Sequence, residues 1–212
     1  MRKELKIISL SEIKTEEVKW LWYPYIPFGK VTIVQGDPGE GKTTFVLSVI
    51  AALTRGEALP ECETGLPQMN VIYQTAEDGL ADTIKPRLEA VGADCSRVQT
   101  IDDSKSMLTL TDQRLEEAIY STDAGLLVLD PLQAYLGSGV DMHRANEIRP
   151  IMKKLSAVAE RTGCAVVLIG HMNGLTRSSP YGRRLMRFPA QVSSGASFVS
   201  LVHSLMLFSS RI

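Results

Sequence analysis

The fold of this chain follows from one stretch, Lys30-Val31-Thr32-Ile33-Val34-Gln35-Gly36-Asp37-Pro38-Gly39-Glu40-Gly41-Lys42-Thr43-Thr44-Phe45-Val46-Leu47. Its first six residues are typical of a buried β-strand, and the residues from Thr44 onward are typical of a helix. Between them, residues 36–43 fit the phosphate-binding pattern G-x-x-x-x-G-K-[ST] at every fixed position. A strand, this loop and a helix in succession form the unit that such a pattern requires. A glycine-rich turn that binds nothing remains the alternative for the pattern alone.

The loop has the composition that polyphosphate binding demands. Backbone N–H groups must point at phosphate oxygens, and glycine permits the close approach and unusual dihedral angles that this needs. The N-terminus of the following helix favours negative charge. In this pattern the lysine reaches the β- and γ-phosphates, and the hydroxyl of the last residue is a Mg²⁺ ligand. We therefore predict ATP and Mg²⁺ as ligands, held by Gly36, Asp37, Pro38, Gly39, Glu40, Gly41, Lys42, Thr43 and Thr44.

The composition is ordinary for a globular protein. The chain has 212 residues, of which 44% are hydrophobic and 22% charged, enough for one sizeable α/β domain. No apolar stretch approaches the roughly 20 residues of a membrane helix, and the N-terminus lacks the apolar core of a signal peptide. The cysteines, Cys62, Cys95 and Cys164, show no C-x-x-C spacing. We therefore expect a cytoplasmic protein that does not contact the membrane.

The formal net charge of −1 hides an asymmetry along the chain. Residues 1–173 contain 18 basic and 24 acidic residues, a net charge of −6, whereas residues 174–212 contain five arginines and no lysine, aspartate or glutamate. The overall charge therefore indicates no particular partner, but the C-terminal stretch differs in kind from the rest.

Strands and helices alternate along the chain. Apolar runs predict strands at 31–35, 70–75, 98–101, 125–129 and 165–170, and helices at 42–55, 80–91, 112–121 and 145–162. The strands at 125–129 and 165–170 are apolar on both faces, as a parallel sheet covered by helices requires. We predict an α/β fold with a doubly wound, mostly parallel sheet and a ligand at the carboxyl ends of its strands.

Three regions are predicted: a lead-in segment at 1–28, a core at 29–173 and a divergent basic tail, rich in serine and arginine, at 174–212. The lead-in contains one short strand at 6–10 and then the aromatic and proline cluster at 20–28, which cannot be a regular helix. We expect this cluster to be a hydrophobic plug at the edge of the domain. A contact with a nucleotide base or a second subunit is the alternative.

A carboxylate, Asp130, ends the apolar strand at 125–129. Beside the phosphate loop it would hold Mg²⁺, directly or through water. An apolar run followed by aspartate is common, and the alternative is a strand that simply ends at a turn before Pro131. The position about ninety residues after the loop favours the metal site, whose predicted ligands are Thr43 and Asp130.

Two further acids, Glu77 and Asp78, follow the strand at 70–75. Hydrolysis needs a carboxylate that orients and activates the attacking water. We expect this strand to lie next to the phosphate-loop strand, which would place Glu77 well for that role and leave Asp78 a second one. The alternative is an acidic pair that stabilises the following helix through its dipole.

At the end of the last strand, His171 is predicted to contact the γ-phosphate and to report its loss to neighbouring loops. A purely structural histidine is the alternative. The loop at 131–144, rich in glycine and serine and predicted to be mobile, begins at Asp130 and is a candidate contact for a polymer that senses the nucleotide state. A partly ordered surface connection is the alternative for this loop.

Taken in order, these motifs resemble a known family. The series runs from residues 36–43 through Thr75-Ala76-Glu77-Asp78 and residues 126–135 to Leu168-Ile169-Gly170-His171-Met172-Asn173, with Val140-Asp141-Met142-His143-Arg144-Ala145-Asn146-Glu147 adding to the match. It resembles the RecA-type, AAA-like ATPases related to the plasmid replicative hexameric helicase RepA, which are common in phages and mobile elements. The resemblance covers about residues 20–173.

The resemblance implies a RecA-like core that works as a homo-oligomeric, hexameric ring, with ATP between subunits. It implies that Lys42 and Thr43 bind phosphate and Mg²⁺, that Glu77 activates water, that Asp130 coordinates Mg²⁺ and that His171 is the sensor. After Asn173 the chain departs from the family pattern, and nine of its last 39 residues are serine. We interpret this as a reading-frame change or a divergent end, with a basic tail for nucleic acid or a partner as the alternative.

Two functions follow from these predictions. The first is an ATP-hydrolysing motor on nucleic acid, with single-stranded DNA as the expected partner, in which an arginine from a neighbouring subunit completes the site. That arginine is not identifiable in this sequence. The second is a nucleotide-dependent regulatory or assembly module without helicase activity, which the net charge of −1 and the lack of a clear basic groove favour. A small-molecule kinase is weaker, because no lid or substrate pocket is indicated.

Overall fold

The computed structural model describes residues 6–141, 144–171 and 186–187. Its strands are β1 (Trp20–Trp22), β2 (Ile26–Pro27), β3 (Val31–Gly36), β4 (Asn70–Thr75), β5 (Val98–Gln99), β6 (Ala124–Asp130), β7 (Ala165–His171) and β8 (Met186–Arg187). Its helices are α1 (Lys42–Arg55), α2 (Lys85–Ala90), α3 (Gln113–Thr122) and α4 (Ala145–Thr162). Apart from β8, the predicted tail at 174–212 lies outside the described residues.

The main sheet has six strands in the order β5-β4-β6-β7-β3-β8, and every pair in it is parallel. This confirms the predicted α/β fold with a parallel sheet. The expectation that β4 lies next to the phosphate-loop strand β3 was wrong, because β6 and β7 lie between them. After α1 the chain crosses over to form β4, and β6 and β7 later occupy the space between β3 and β4. The order of the strands in the sequence does not reveal that two strands are inserted there. Since all strands run the same way, their carboxyl ends still share one edge.

Hydrophobic residues fill both faces of the sheet. Successive side chains of a strand point to opposite faces. Leu126 and Val128 accordingly pack with α1 on one face, while Leu127 and Leu129 pack with α3 and α4 on the other. The same alternation directs the side chain of Asp130 to the face of α1, where the phosphate loop ends. The placement of the site thus follows from the packing of the core.

Some predicted elements are shorter than expected. The predicted strand at 98–101 has only two paired residues, because the buried side chain of Gln74 accepts from the N–H of Ile101 at 2.9 Å and donates to its carbonyl at 3.2 Å. A side-chain amide therefore replaces the neighbouring backbone at this edge. The predicted helix at 80–91 begins as one turn of π-helix over Leu80–Ile84 and becomes α-helical only at Lys85, with a proline in its first turn.

The aromatic lead-in is a plug, as predicted. Strands β1 and β2 pair antiparallel, and Trp22 is buried in the core on the α1 face. Its indole lies 5.7 Å from the ring of Phe45 and 5.1 Å from that of Tyr25, and its Nε1–H donates to the carbonyl of Pro60 at 2.9 Å. The indole therefore joins the lead-in both to α1 and to the loop that follows it.

The strand predicted at 6–10 was wrong. Residues 10–12 form a turn of 3₁₀-helix, begun by Ser9, whose hydroxyl accepts from the N–H of Ser11 at 3.4 Å. Ile7 and Leu10 are 84% and 83% exposed. Apolar residues form a strand only with a partner strand or a surface to bury them, and the part of the chain that the structure describes offers residues 6–10 neither.

Within the described residues, no helix is long and apolar enough to cross a membrane. Cys62, Cys95 and Cys164 are free thiols, and Cys164 is buried in the core. Burial raises the pKa of the Cys164 thiol to about 12.

Candidate functional site

The phosphate loop joins β3 to α1 at the carboxyl edge of the sheet. Gly39 and Gly41 have φ angles of +82° and +81°, and a Cβ at either position would meet nothing within 4 Å. Glycine is therefore required here by the backbone and not by crowding. Gly41 is also the N-cap of α1, so the free N–H groups at the start of the helix open toward the loop. Pro38, Gly39 and Thr44, three of the predicted ligands, are exposed at this edge.

Lys42 points back into the loop. Its side chain is buried, and its ammonium donates to the carbonyl oxygens of Asp37 at 2.7 Å and Gly36 at 3.1 Å. Burial lowers the pKa of Lys42, and the nearby carboxylates of Glu40, Asp130 and Asp37 oppose that shift. The Glu40 carboxylate accepts from the N–H of Asp37 at 2.7 Å. The carbonyl groups of the loop thus hold the Lys42 ammonium inside the loop, and a bound anion could attract the ammonium from there.

Thr43 and Asp130 meet, as the sequence predicts. The Thr43 hydroxyl donates to Oδ2 of Asp130 at 2.9 Å, although 87 positions separate them in the chain. Asp130 is only 6% exposed. Within the described residues, no group of three or more histidine, cysteine, aspartate or glutamate side chains could hold a metal. One hydroxyl and one carboxylate fit Mg²⁺, which binds proteins through one or two such oxygens and takes its remaining ligands from phosphates and water.

A tyrosine that the sequence analysis missed completes this cluster. The hydroxyl of Tyr73, in β4, donates to the same Oδ2 of Asp130 at 2.8 Å. Burial, followed by the charge of Asp130, raises the pKa of Tyr73 well above its usual range, so this hydroxyl keeps its proton. The signal in the sequence was a tyrosine inside an otherwise buried strand, because a buried phenol needs a polar partner.

The two acids after β4 have different surroundings. Glu77 is exposed and follows Ala76, whose N–H donates to the backbone carbonyl of Asp130 at 3.1 Å. That bond holds the chain before Glu77 at the carboxyl edge, although β4 is not adjacent to β3. Asp78 accepts from Arg87 at 3.3 Å, and its own N–H donates to the hydroxyl of Thr75 at 3.2 Å. Asp78 therefore has a local structural partner.

For His171, the predicted sensor, the structure describes the position of the backbone. In β7, the strand adjacent to β3, His171 pairs in register with Gly36, the first residue of the phosphate loop. The strand next to the loop thus carries His171 and not Glu77. The role of the histidine side chain stays a prediction.

The loop that begins after Asp130 is partly packed. Residues 132–135 form a turn of 3₁₀-helix, and Tyr135 and Leu136 are buried. Beyond them, Ser138 and Gly139 are exposed. Met142 and His143, within the predicted polymer-contacting loop, lie outside the described residues. The first part of this loop therefore belongs to the core, which its glycine and serine content did not reveal.

Comparison with known proteins agrees with this geometry. A family model described as "AAA domain" matches residues 1–175. Proteins named DNA repair protein RadA are similar: that of Halalkalibacterium halodurans is 26% identical over 147 residues, and that of Streptococcus pneumoniae is 24% identical over 176 residues. These matches cover 68% and 80% of this chain but only 28% and 37% of the relatives. The chain therefore spans well under half the length of the RadA proteins it matches.

Among solved structures, a KaiC-like protein from the archaeon Pyrococcus horikoshii has a similar fold. The TM-score is 0.53 and the sequence identity 16%, over 74% of this chain and 73% of that one. At this identity the likeness shows the fold alone. It confirms the predicted RecA-like α/β fold of P-loop proteins.

Proposed function

Since the chain belongs to the AAA domain family, we propose that it binds ATP with Mg²⁺ and hydrolyses it as a RecA-type motor on DNA, in the manner of a replicative helicase of a phage or mobile element. The contact of Thr43 with Asp130 at 2.9 Å is the observation that carries this function. It brings the end of the phosphate loop to the carboxylate of a distant strand, as a nucleotide–Mg²⁺ site requires.

The residues of the loop would bind the triphosphate. On binding, the Lys42 ammonium would exchange the carbonyl oxygens of Gly36 and Asp37 for phosphate oxygens, while the N–H groups at the start of α1 face the same anion. Thr43 and Asp130 would hold Mg²⁺, which would supply positive charge beside the phosphates. Because Lys42 and Asp130 are both buried, these interactions act with little screening by water.

Glu77 is the proposed water-activating carboxylate. Its position after Ala76, which is bonded to the carbonyl of Asp130, supports a place at the edge where the γ-phosphate would lie. We expect Glu77→Gln to keep nucleotide affinity and to lower the rate of ATP hydrolysis by about 10²- to 10⁴-fold, the usual contribution of a general base. Asp78→Asn is the matched control, and equal losses in both variants would contradict the assignment. His171, paired with Gly36, is proposed to sense the γ-phosphate.

DNA is the proposed polymer, because the RadA relatives carry the name of DNA repair proteins. Single-stranded DNA would contact the exposed part of the loop at 131–144, and ATP would bind between the subunits of a ring, with six as the proposed number. The net charge of −6 over residues 1–173 favours a second candidate, a nucleotide-dependent regulatory or assembly module that does not unwind DNA.

The effect of single-stranded DNA on ATP hydrolysis distinguishes the motor from the nucleotide-dependent module. ATP hydrolysis is measured with and without single-stranded DNA, and binding of a fluorescent ATP analogue is measured in parallel. Stimulation by DNA is the result expected for the motor, whereas binding without turnover would overturn it in favour of the module.

The nucleotide site itself is tested with Lys42→Ala, which should abolish binding of the analogue. Lys30→Ala is the matched control, because Lys30 is exposed and paired with Glu160 away from the loop. Normal affinity in Lys42→Ala would refute the site.

A further inference from the structure

Asp130 is held from two directions by two hydroxyl groups. Thr43 at the start of α1 and Tyr73 in β4 donate to one oxygen, Oδ2, at 2.9 Å and 2.8 Å. Tyr73 pairs in register with Val128, two residues before Asp130. Two residues of a strand span about 6.6 Å, so only a side chain as long as tyrosine carries a hydroxyl this far along the strand.

The hydroxyl groups of Thr43 and Tyr73 have different surroundings. The Thr43 hydroxyl belongs to the phosphate loop and is itself one of the proposed metal ligands. The Tyr73 side chain is 2% exposed, lies among the core residues of the α1 face, and is too deeply buried to meet the nucleotide. Its hydroxyl bond goes to a carboxylate that burial has removed from water, a setting in which hydrogen bonds to charge are strong.

We propose that Tyr73 is a positioning residue, whose hydroxyl orients Asp130 so that the site binds nucleotide together with Mg²⁺. This inference rests on the proposed function, in which Thr43 and Asp130 hold the metal. Groups that hydrogen-bond to metal ligands tune metal affinity without touching the metal. Tyr73 therefore sets how strongly Mg²⁺ increases nucleotide affinity, while the loop and Lys42 set the affinity without metal.

The same region supplies a matched control. Tyr135 is equally buried, at 2% exposure, and among the described residues its hydroxyl has no hydrogen-bond partner. Tyr135→Phe and Tyr73→Phe thus remove the same atom from two buried phenols, but only the second takes a donor from Asp130.

The test is equilibrium binding of a slowly hydrolysed fluorescent analogue, mant-ATPγS, to the full chain in Mg²⁺ and in EDTA. The quantity compared is the dissociation constant in EDTA divided by the dissociation constant in Mg²⁺. For Tyr73→Phe we expect this ratio to fall about 10- to 100-fold, the usual effect of losing such a partner, with the EDTA value unchanged. For Tyr135→Phe we expect the wild-type ratio. In an Asp130→Ala background, adding Tyr73→Phe should change nothing further, because Tyr73 acts only through that carboxylate.

The outcomes separate the inference from the function on which it rests. A wild-type chain that binds the analogue equally in Mg²⁺ and EDTA would refute the metal site itself. A wild type that responds to Mg²⁺ and a Tyr73→Phe variant that responds equally would overturn the inference alone. Equal losses in both phenylalanine variants, or loss of the folded circular dichroism spectrum in Tyr73→Phe, would also overturn it, since the hydroxyl would then serve the fold.

Discussion

Replacing Trp22 by alanine tests whether the aromatic lead-in belongs to the core. The indole is 2% exposed, contacts Phe45 and Tyr25, and donates to the carbonyl of Pro60. Removing a buried tryptophan costs about 3–5 kcal/mol through lost burial and the cavity that remains. The carbonyl of Pro60 loses its donor but is only partly buried, so we add about 1 kcal/mol, the low end for an unpaired group. The expected loss is therefore about 4–6 kcal/mol, a large share of the 5–15 kcal/mol typical of a domain.

Urea unfolding followed by far-UV circular dichroism measures this loss. With an m-value of about 2–3 kcal/mol/M, the midpoint should fall by roughly 1.3–3 M. Trp22→Phe keeps most of the apolar volume and removes the N–H donor, so it should cost about 1–2 kcal/mol. Tyr23→Ala is the control in the same segment, because Tyr23 is 64% exposed and contacts only the edge of Trp20 among the ring pairs described. Its cost should stay below about 1 kcal/mol.

A specific pair of results would refute this reasoning. If Trp22→Ala unfolds within about 1 kcal/mol of the wild type yet loses affinity for the ATP analogue, the lead-in serves a ligand and not the core. The alternative of a base or subunit contact, which the sequence left open, would then hold in spite of the burial of Trp22.

Three further predictions concern single positions. Gly41→Ala should lower stability by about 1–2 kcal/mol in thermal unfolding, because the φ of +81° strains any residue with a Cβ even where space is open; no change would contradict the left-handed cap. Asp112→Ala should cost about 0.5–2 kcal/mol, because the carboxylate of Asp112 caps α3 by accepting from the N–H of Arg114 at 3.0 Å. Glu117→Ala, at an exposed position of the same helix, is the control that separates loss of the cap from loss of an acidic charge. Cys164 has a pKa raised by burial to about 12, so the folded state keeps its proton better than the unfolded state, and its contribution to stability is lost as the pH rises from about 9 to 12. At pH 8, iodoacetamide and mass spectrometry should therefore find Cys62 alkylated and Cys164 protected until urea unfolds the chain, and early modification of Cys164 would contradict its burial.

Local chemistry made much of this fold predictable. The helices at 42–55 and 145–162 and the strand at 70–75 have the predicted bounds, because periodicity and capping residues act within a few positions of the chain. The predicted strands that the structure does not contain in full depend on partners distant in the sequence. Residues 6–10 had the composition of a strand but pair with no strand among the residues described, and residues 100–101 pair with the side chain of Gln74 in place of a strand.

The phosphate loop could be predicted from the sequence itself, because each requirement of the loop falls on a residue within eight positions: glycines for positive φ, a lysine for charge and a threonine hydroxyl for the proposed metal. Only the tertiary structure decided what stands beside it. The insertion of β6 and β7 between β3 and β4 put His171, not Glu77, on the adjacent strand, and it brought the hydroxyl of Tyr73 to Asp130. Strand order is set by which faces bury the most apolar surface together, a property of the whole sheet that no short stretch of sequence contains.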